Sequence, residues 1–272
     1  MNSVWRIAAA SVAGTSHERT GAPCQDSHLA ALVGDGGSTL VLIASDGAGS
    51  ASHSEIGSSL ACSRLMEELR RAIDQGLEVA QITKEVALGW LSEVRAALQT
   101  AADEHNLGLR EFACTLLAAV VSPTHSAFFQ VGDGAMVVRP NGDSWSYVFW
   151  PQHGQFINTT YFITDATAAD VLECDVVEGR IEEVAVFTDG IEPLVLHYAS
   201  QSVHSPFFDR IFQPVRNLES IGLSEELSAK LQSYLALPLV CERTDDDKTL
   251  LLATKAEPVA EEPVAFAEKS HL

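Results

Sequence analysis

Several apolar runs in this chain end in an aspartate beside a glycine. LVLIASDGAG sets Asp46 before Gly47, FFQVGDGAMV sets Asp133 between Gly132 and Gly134, and EVAVFTDGIE sets Asp189 before Gly190. In ERTDDDKTLLLA, Asp245, Asp246 and Asp247 directly precede an apolar run, and Asp26 in GAPCQDSH follows the N-terminal run across a turn-rich loop. A strand fixes the Cα of its last residue, and an adjacent Gly lets the backbone turn without a Cβ clash, so a carboxylate can point into a shared cleft. Clustered aspartates repel one another unless a cation joins them. Mg²⁺ and Mn²⁺ prefer hard oxygen ligands, and one carboxylate can bridge two ions about 3.5–4 Å apart. The plain alternative is that an Asp-Gly pair only forms a turn. That explanation suits any one site better than it suits three strand-Asp-Gly turns and a triple Asp together. Other chemistries lack their residues: GAGSASHSEIG at 47–57 has no P-loop lysine, and neither HExxH nor CxxC occurs.

The elements that must position these acids are short strands. Strand-like runs fall at 4–12, 40–45, 115–121, 126–131, 135–139, 145–150, 183–188 and 249–253, most bounded by Gly, Pro, Asp or Asn. Two helical patterns lie between the second and third runs. Over 54–74, Ile56, Leu60, Leu65, Leu69 and Ile73 form one apolar stripe; over 79–106, Ile82, Val86, Trp90, Val94 and Leu98 recur every four residues. Gly76 separates them, which predicts a helical hairpin. Later helices are expected at 206–217 and at 224–235, the second with Ser224 as N-cap. Strands that follow one another without crossover helices imply antiparallel pairing, and helices covering the sheets give a layered α+β architecture.

With 37 acidic and 17 basic side chains in 272 residues, the chain carries a formal charge of −20. That excess excludes a general nucleic-acid or anionic-membrane binder, because phosphate backbones are held by Lys and Arg. The stretch from Lys255 onward mixes Pro, Ala and Glu without an apolar period and is expected to be a flexible acidic tail (255–272) beyond a single domain (1–254). Without it, 15 basic residues still face 33 acidic ones, so the acidity belongs to the domain. Five scattered cysteines, an odd number, fit neither a disulfide framework nor a zinc knuckle and point to a reducing, cytoplasmic setting. No apolar window is long enough for a membrane span, and the N-terminal run reads as a strand rather than a signal peptide.

Taken in order, PCQDS, ASDGAGSA, FACTLLAAVV, VGDGAMVV, VFTDGIE and DDDKTLLLA resemble the PPM/PP2C family of metal-dependent serine/threonine protein phosphatases, above all its compact bacterial members, over about residues 5–254. The resemblance implies a four-layer α-β-β-α sandwich, two antiparallel sheets flanked by helices, with a binuclear Mn²⁺ or Mg²⁺ centre at one edge. By similarity, Asp46 would bridge both metals and the Gly47 carbonyl would hold one. Asp189 and Asp246 would complete the protein ligands of the other, Asp26 would act through water, and Asp133 would face a third, weaker metal. The implied reaction is hydrolysis of phosphoserine and phosphothreonine by a metal-activated water. The implied partner is a phosphorylated protein, a kinase or its target, and the chain is expected to be a monomer.

Departures from the family pattern are visible. Gln25 stands where Glu is common, Gly21 where an Arg would pair with substrate phosphate, and Pro193 where a third-metal ligand is common, with Glu192 adjacent. The third site is therefore expected to be weak or absent. His17, Arg19 and Arg6 are the candidates to replace the missing phosphate donor. An adaptor of the same fold with little activity, and a hydrolase of small phosphoesters, are the competing functions. Residues 151–182 allow no assignment of roles.

Overall fold

The computed structural model describes residues 5–152 and 160–256. Its strands, in chain order, are β1 (Trp5–Val12), β2 (Ser27–Val33), β3 (Thr39–Ser45), β4 (Leu116–Val121), β5 (His125–Val131), β6 (Ala135–Pro140) and β7 (Ser146–Tyr147). They continue as β8 (Glu173–Glu178), β9 (Ile181–Phe187), β10 (Leu196–His197), β11 (Ser202–Val203), β12 (Gly222–Leu223) and β13 (Lys248–Lys255). One sheet has the order β12-β1-β13-β9-β6-β7, a second the order β2-β3-β4-β5-β8, and β10 pairs with β11. Pairing is antiparallel except between β1 and the two-residue β12, which run parallel.

Alternation along the strands sorts side chains into three apolar layers. Leu40, Leu42, Leu117, Ala119, Phe128, Met136, Val184, Val186 and Leu251 fill the space between the two sheets. Their neighbours Val41, Ile43, Ala118 and Val120 face outward and meet Leu65, Leu69, Trp90, Val94 and Leu98 of two long helices, α2 (Ser54–Asp74) and α3 (Lys84–His105). On the outer face of the other sheet, Ala8, Val137, Phe187 and Leu252 meet Phe208, Phe212, Leu231 and Leu235 from the C-terminal helices. Strands buried on both faces explain why their runs read as continuously apolar, and the result is the expected helix-sheet-sheet-helix stack.

Differences from the sequence reading have local causes. The second helix of the hairpin begins at Lys84 and not at 79, because Thr83 is its N-cap, accepting from the Val86 N–H, and 79–81 forms a separate 3₁₀ turn. The helix expected over 206–217 is two pieces, Ser205–Ile211 and Gln213–Arg216, with Pro214 opening the second. Over 224–235 the Ser224 cap is formed as expected, its Oγ accepting from the Leu227 N–H. Strands β2 and β8, both sheet edges with half-exposed residues, lie outside the expected runs, although Leu29–Val33 of β2 is itself an apolar run. The run at 145–150 holds only β7. The final strand reaches Lys255, one residue past the expected domain boundary; the rest of the expected tail, from 257 on, lies outside the described residues, as do Val4 and 153–159. Among the described residues, no helix is long and apolar enough to cross a membrane.

Candidate metal centre

The sheets bring the acidic turns to one end. Asp46 follows β3, Asp133 joins β5 to β6, Asp189 follows β9 through Thr188, and Asp246 precedes β13. One carboxylate oxygen from each of Asp46, Asp133 and Asp189 lies within 4.8 Å of the others, close enough to share a cation. Asp26 joins them from the loop before β2. Its Oδ2 accepts from Thr188 Oγ1 at 2.7 Å, and its carboxyl is within hydrogen-bonding reach of Asp46.

Backbone contacts set these positions. The Asp46 N–H donates to Thr115 Oγ1 at 2.9 Å and its carbonyl accepts from the Thr115 N–H at 2.8 Å, locking the turn after β3 against the start of β4. A Cβ on Gly47 would stand 2.7 Å from the Gln25 carbonyl oxygen and 2.8 Å from that of Ser54, so only glycine lets the three segments converge. The Asp133 loop is held through its amides: Gly132 N–H to Gln152 Oε1 at 2.8 Å, Asp133 N–H to Thr160 Oγ1 at 3.0 Å and Gly134 N–H to Glu192 Oε1 at 2.7 Å.

Electrostatics mark the cluster as strained without a cation. Burial pushes the Asp26 carboxyl up to about 7. Burial, with neighbouring Asp26 and Asp189 next in importance, raises Asp46 well above the usual carboxylate range. Burial, then Asp133 and Asp246, does the same to Asp189, whose Oδ1 is buried with no hydrogen-bond partner among the described residues. An orphaned oxygen among mutually repelling acids fits a hard divalent ion: the donor set is all oxygen, and a cation would satisfy both the charge and the lone pairs.

Among the three consecutive aspartates the structure divides the work. Asp247 is 1% exposed and spent on the protein itself, accepting from the Gly14 N–H at 2.6 Å, the Gln25 N–H at 2.5 Å and His17 Nδ1 at 2.8 Å. Asp246 is exposed and near enough to Asp189 to act on its carboxyl; the buried Lys248 donates from Nζ to the Asp246 carbonyl at 3.0 Å. Asp245 pairs with Arg19 at the exposed rim, at 3.1 Å.

The candidate phosphate donors separate. His17 and Arg19 both sit on α1 (Thr15–Thr20), beside the Asp245–Asp247 turn. Arg6 is corrected: it lies near the start of β1, at the opposite end of the sheet, and its Nη1 donates to the Arg216 carbonyl at 2.8 Å. Strand polarity explains the error, since six residues at about 3.3 Å each put Arg6 about 20 Å from the C-terminal end of β1. Residues missed in the sequence are Thr188, Tyr198, Lys248 and the His17–Asp247 pair. Thr188, next to Asp189 in VFTDGIE, was visible as a motif neighbour; the others depend on contacts between distant segments. Glu192, next to Pro193, is buried and committed to Gly134 and the Tyr198 hydroxyl. A separate cavity of about 710 Å³, lined by Pro193, His197, His204, Phe207 and others, contains none of the clustered carboxylates, so the chemistry is assigned to the carboxylate cluster and not to this cavity.

Known proteins place this arrangement. A family model described as protein phosphatase 2C matches residues 13–236. Serine/threonine-protein phosphatase 3 of Escherichia coli (strain K12) is 38% identical over 257 residues, spanning 93% of this chain and 99% of that protein. The crystal structure of serine/threonine phosphatase Stp1 from Staphylococcus aureus superposes with a TM-score of 0.59 at 16% identity, covering 93% of this chain and 96% of that one. The catalytic domain of PstP, solved in complex with two manganese ions, superposes with a TM-score of 0.57 at 14% identity, covering 93% and 99%. The sandwich, the carboxylate turns at one end of it and a sequence match over most of the length lead to one conclusion: the chain belongs to the protein phosphatase 2C family.

Proposed function

We propose that this chain removes phosphate from phosphoserine and phosphothreonine in proteins, using two Mn²⁺ or Mg²⁺ ions held in the acidic cleft. The observation that carries the reading is the convergence of Asp46, Asp133 and Asp189 within 4.8 Å, from three separate strand ends. Asp46, the Gly47 carbonyl, Asp189 and Asp246 would hold the ions, and Asp26 would contribute through an ordered water. When bound, the ions supply an acidified water as nucleophile and positive charge opposite the phosphoryl oxygens.

The chain's own groups do the rest. Thr188 holds Asp26 so that its carboxyl faces Asp46 and can orient a water between them. Asp247 fixes the His17 ring through Nδ1, which leaves Nε2 on the side away from Asp247, as a donor to substrate phosphate or to the departing seryl oxygen. Arg19, exposed beside Asp245, guides the approach of the phosphate. Asp133 joins the same ring of carboxylates as Asp46 and Asp189, while Glu192 is occupied by Gly134 and Tyr198, so a third ion binds weakly at best.

Without a regulatory requirement, an adaptor has no physical reason to keep half-buried, mutually repelling carboxylates together, and their convergence speaks for an enzyme. The acidic surface favours protein substrates with basic segments around the phosphorylated residue, and the five free thiols fit a cytoplasmic setting. The test is phosphate release from a phosphothreonine peptide by metal-stripped protein, before and after Mn²⁺ or Mg²⁺ is restored, beside Asp46→Asn and Asp189→Asn. Release that needs metal and is lost in both variants supports the reading. No metal binding and no release above the variants sinks it, and release unaffected by either substitution sinks the ligand assignment.

A further inference from the structure

At the end of the sheet opposite the carboxylates, register aligns four side chains in one row. Arg6 pairs with Thr254, Thr254 with Glu183, and Glu183 with Arg139, so all four stand on the same outer face of β1, β13, β9 and β6. Arg216, closing the helix Gln213–Arg216, reaches over this row, and Arg180 and Lys255 border it. Together they line an open cleft of about 420 Å³. In a chain of charge −20 with 17 basic residues, five of those cations converge here against two carboxylates, Glu182 and Glu183.

Arg139 and Arg216 are satisfied by Glu183, and Arg180 is paired more loosely with Glu182. Glu183 is nearly buried, accepting from Arg216 Nε and Nη2 at 2.7 Å each, from Arg139 Nη1 at 3.0 Å and from Thr254 Oγ1 at 3.0 Å. That ion pair is complete. Arg6 is different: Nη1 is used by the Arg216 carbonyl, but Nε is buried with no hydrogen-bond acceptor among the described residues. Arg180 Nε stands 3.6 Å from Glu182 Oε1, beyond hydrogen-bond length. Lys255 is half-buried, and burial followed by the nearby Arg180 charge pulls its pKa below the usual lysine value. The five cations thus exceed the two carboxylates by three charges, and Arg6 Nε is left without an acceptor among the described residues.

We propose that this cleft is a second phosphate-binding site, in which Arg6, Arg180 and Lys255 hold a phosphate group about one sheet length from the metal centre. A carboxylate brings one charge and two oxygens, too few for an excess of three positive charges. A phosphate carries close to two charges and at least three terminal oxygens, and arginine forks match its geometry. The same chemistry is offered by free phosphate, the product of the reaction, and by a phosphorylated residue of a protein partner. The site does not depend on the assignment of the metal ligands, and its occupancy can be read without turnover.

The experiment follows the Arg6 Nε–H resonance by ¹H-¹⁵N NMR in the full chain loaded with Mg²⁺. Inorganic phosphate is titrated in one arm and a non-hydrolysable phosphonate analogue of a phosphoserine peptide in another, with glutamate and chloride as controls. A saturable shift of Arg6 is expected, and Arg180→Glu with Lys255→Glu should weaken it at least ten-fold while leaving phosphatase activity within about two-fold. Tighter binding of the peptide analogue assigns a phosphorylated partner, and tighter binding of phosphate assigns the product. An Arg6 resonance that stays still at millimolar phosphate, or that moves as strongly with glutamate or chloride, overturns the proposal. Because both substituted residues border solvent, circular dichroism of the double variant separates lost binding from lost fold.

Discussion

Gly190 lies directly beneath the backbone of Asp247: a Cβ at position 190 would stand 1.8 Å from the Asp247 carbonyl oxygen. The turn carrying Asp189 and the turn carrying Asp246 are therefore held together by the absence of a side chain. Gly190→Ala must push them apart, which displaces two proposed ligands relative to each other. We expect a loss of about 1–3 kcal/mol in stability by denaturant titration, together with weaker Mn²⁺ binding by calorimetry. Unchanged metal affinity in a folded Gly190→Ala protein would show that the two turns do not share an ion.

Asp246 and Asp247 are neighbours in sequence with opposite duties, and their asparagine variants should separate. Asp247→Asn places an amide where two backbone N–H groups and His17 need an acceptor, leaving buried donors unsatisfied at a cost of about 1–3 kcal/mol. Exposed Asp246→Asn should stay within about 0.5 kcal/mol of wild type in stability yet bind metal less tightly. Thermal unfolding and metal titration of the two proteins check the contrast, and the reverse pattern would exchange their roles.

Removing a carboxylate from the cluster should damage activity without damaging the metal-free fold. Asp46→Asn is expected to lose on the order of 4 kcal/mol of transition-state stabilisation, about a thousand-fold in rate. Stripped of metal, the same variant should be at least as stable as wild type, since one of several repelling buried acids is gone. Mn²⁺ should raise the Tm of wild type more than that of the variant. A metal-free Asp46→Asn protein much less stable than wild type would mean that Asp46 is a structural residue.

The buried acids also set a pH dependence in the metal-free protein. Asp26, at about 7, and Asp46 and Asp189, both raised, hold protons in the folded state that the unfolded chain releases near pH 4. Their folded-state pKa values exceed the unfolded ones, so this stability is fully present below the unfolded pKa and is lost as pH rises through the folded values. With chelator present, Tm should fall between about pH 4 and about pH 7, and saturating Mg²⁺ should flatten the fall. A chelated protein whose Tm climbs across that window would refute the proposed source of strain.

Much of this molecule was legible before any coordinates. Continuous apolar runs ending in Asp-Gly marked the central strands and the turns that bear Asp46, Asp133 and Asp189, because burial on both faces and a tight turn each leave a local signature. The α2–α3 hairpin was equally plain, since a stripe repeating every four residues is written in consecutive sequence. Edge strand β8, half-exposed, left no such trace, whereas β2, whose Leu29–Val33 run ends at Gly34-Asp35-Gly36, carries the same signature and was overlooked.

Tertiary structure decided what depended on distance between segments. Residue types and spacing could nominate Asp245, Asp246 and Asp247 together, but only the approach of Gly14, Gln25 and His17 assigns Asp247 to the scaffold. Arg6 looked equivalent to His17 as a phosphate donor until β1 carried it to the far end of the sheet, where pairing with β13, β9 and β6 set it beside Thr254, Glu183 and Arg139. Local sequence determines which residues turn, cap and alternate, because those choices involve neighbours along the chain. Which charges meet is settled by strand polarity and register, and these arise only when residues more than a hundred positions apart are packed into one sheet.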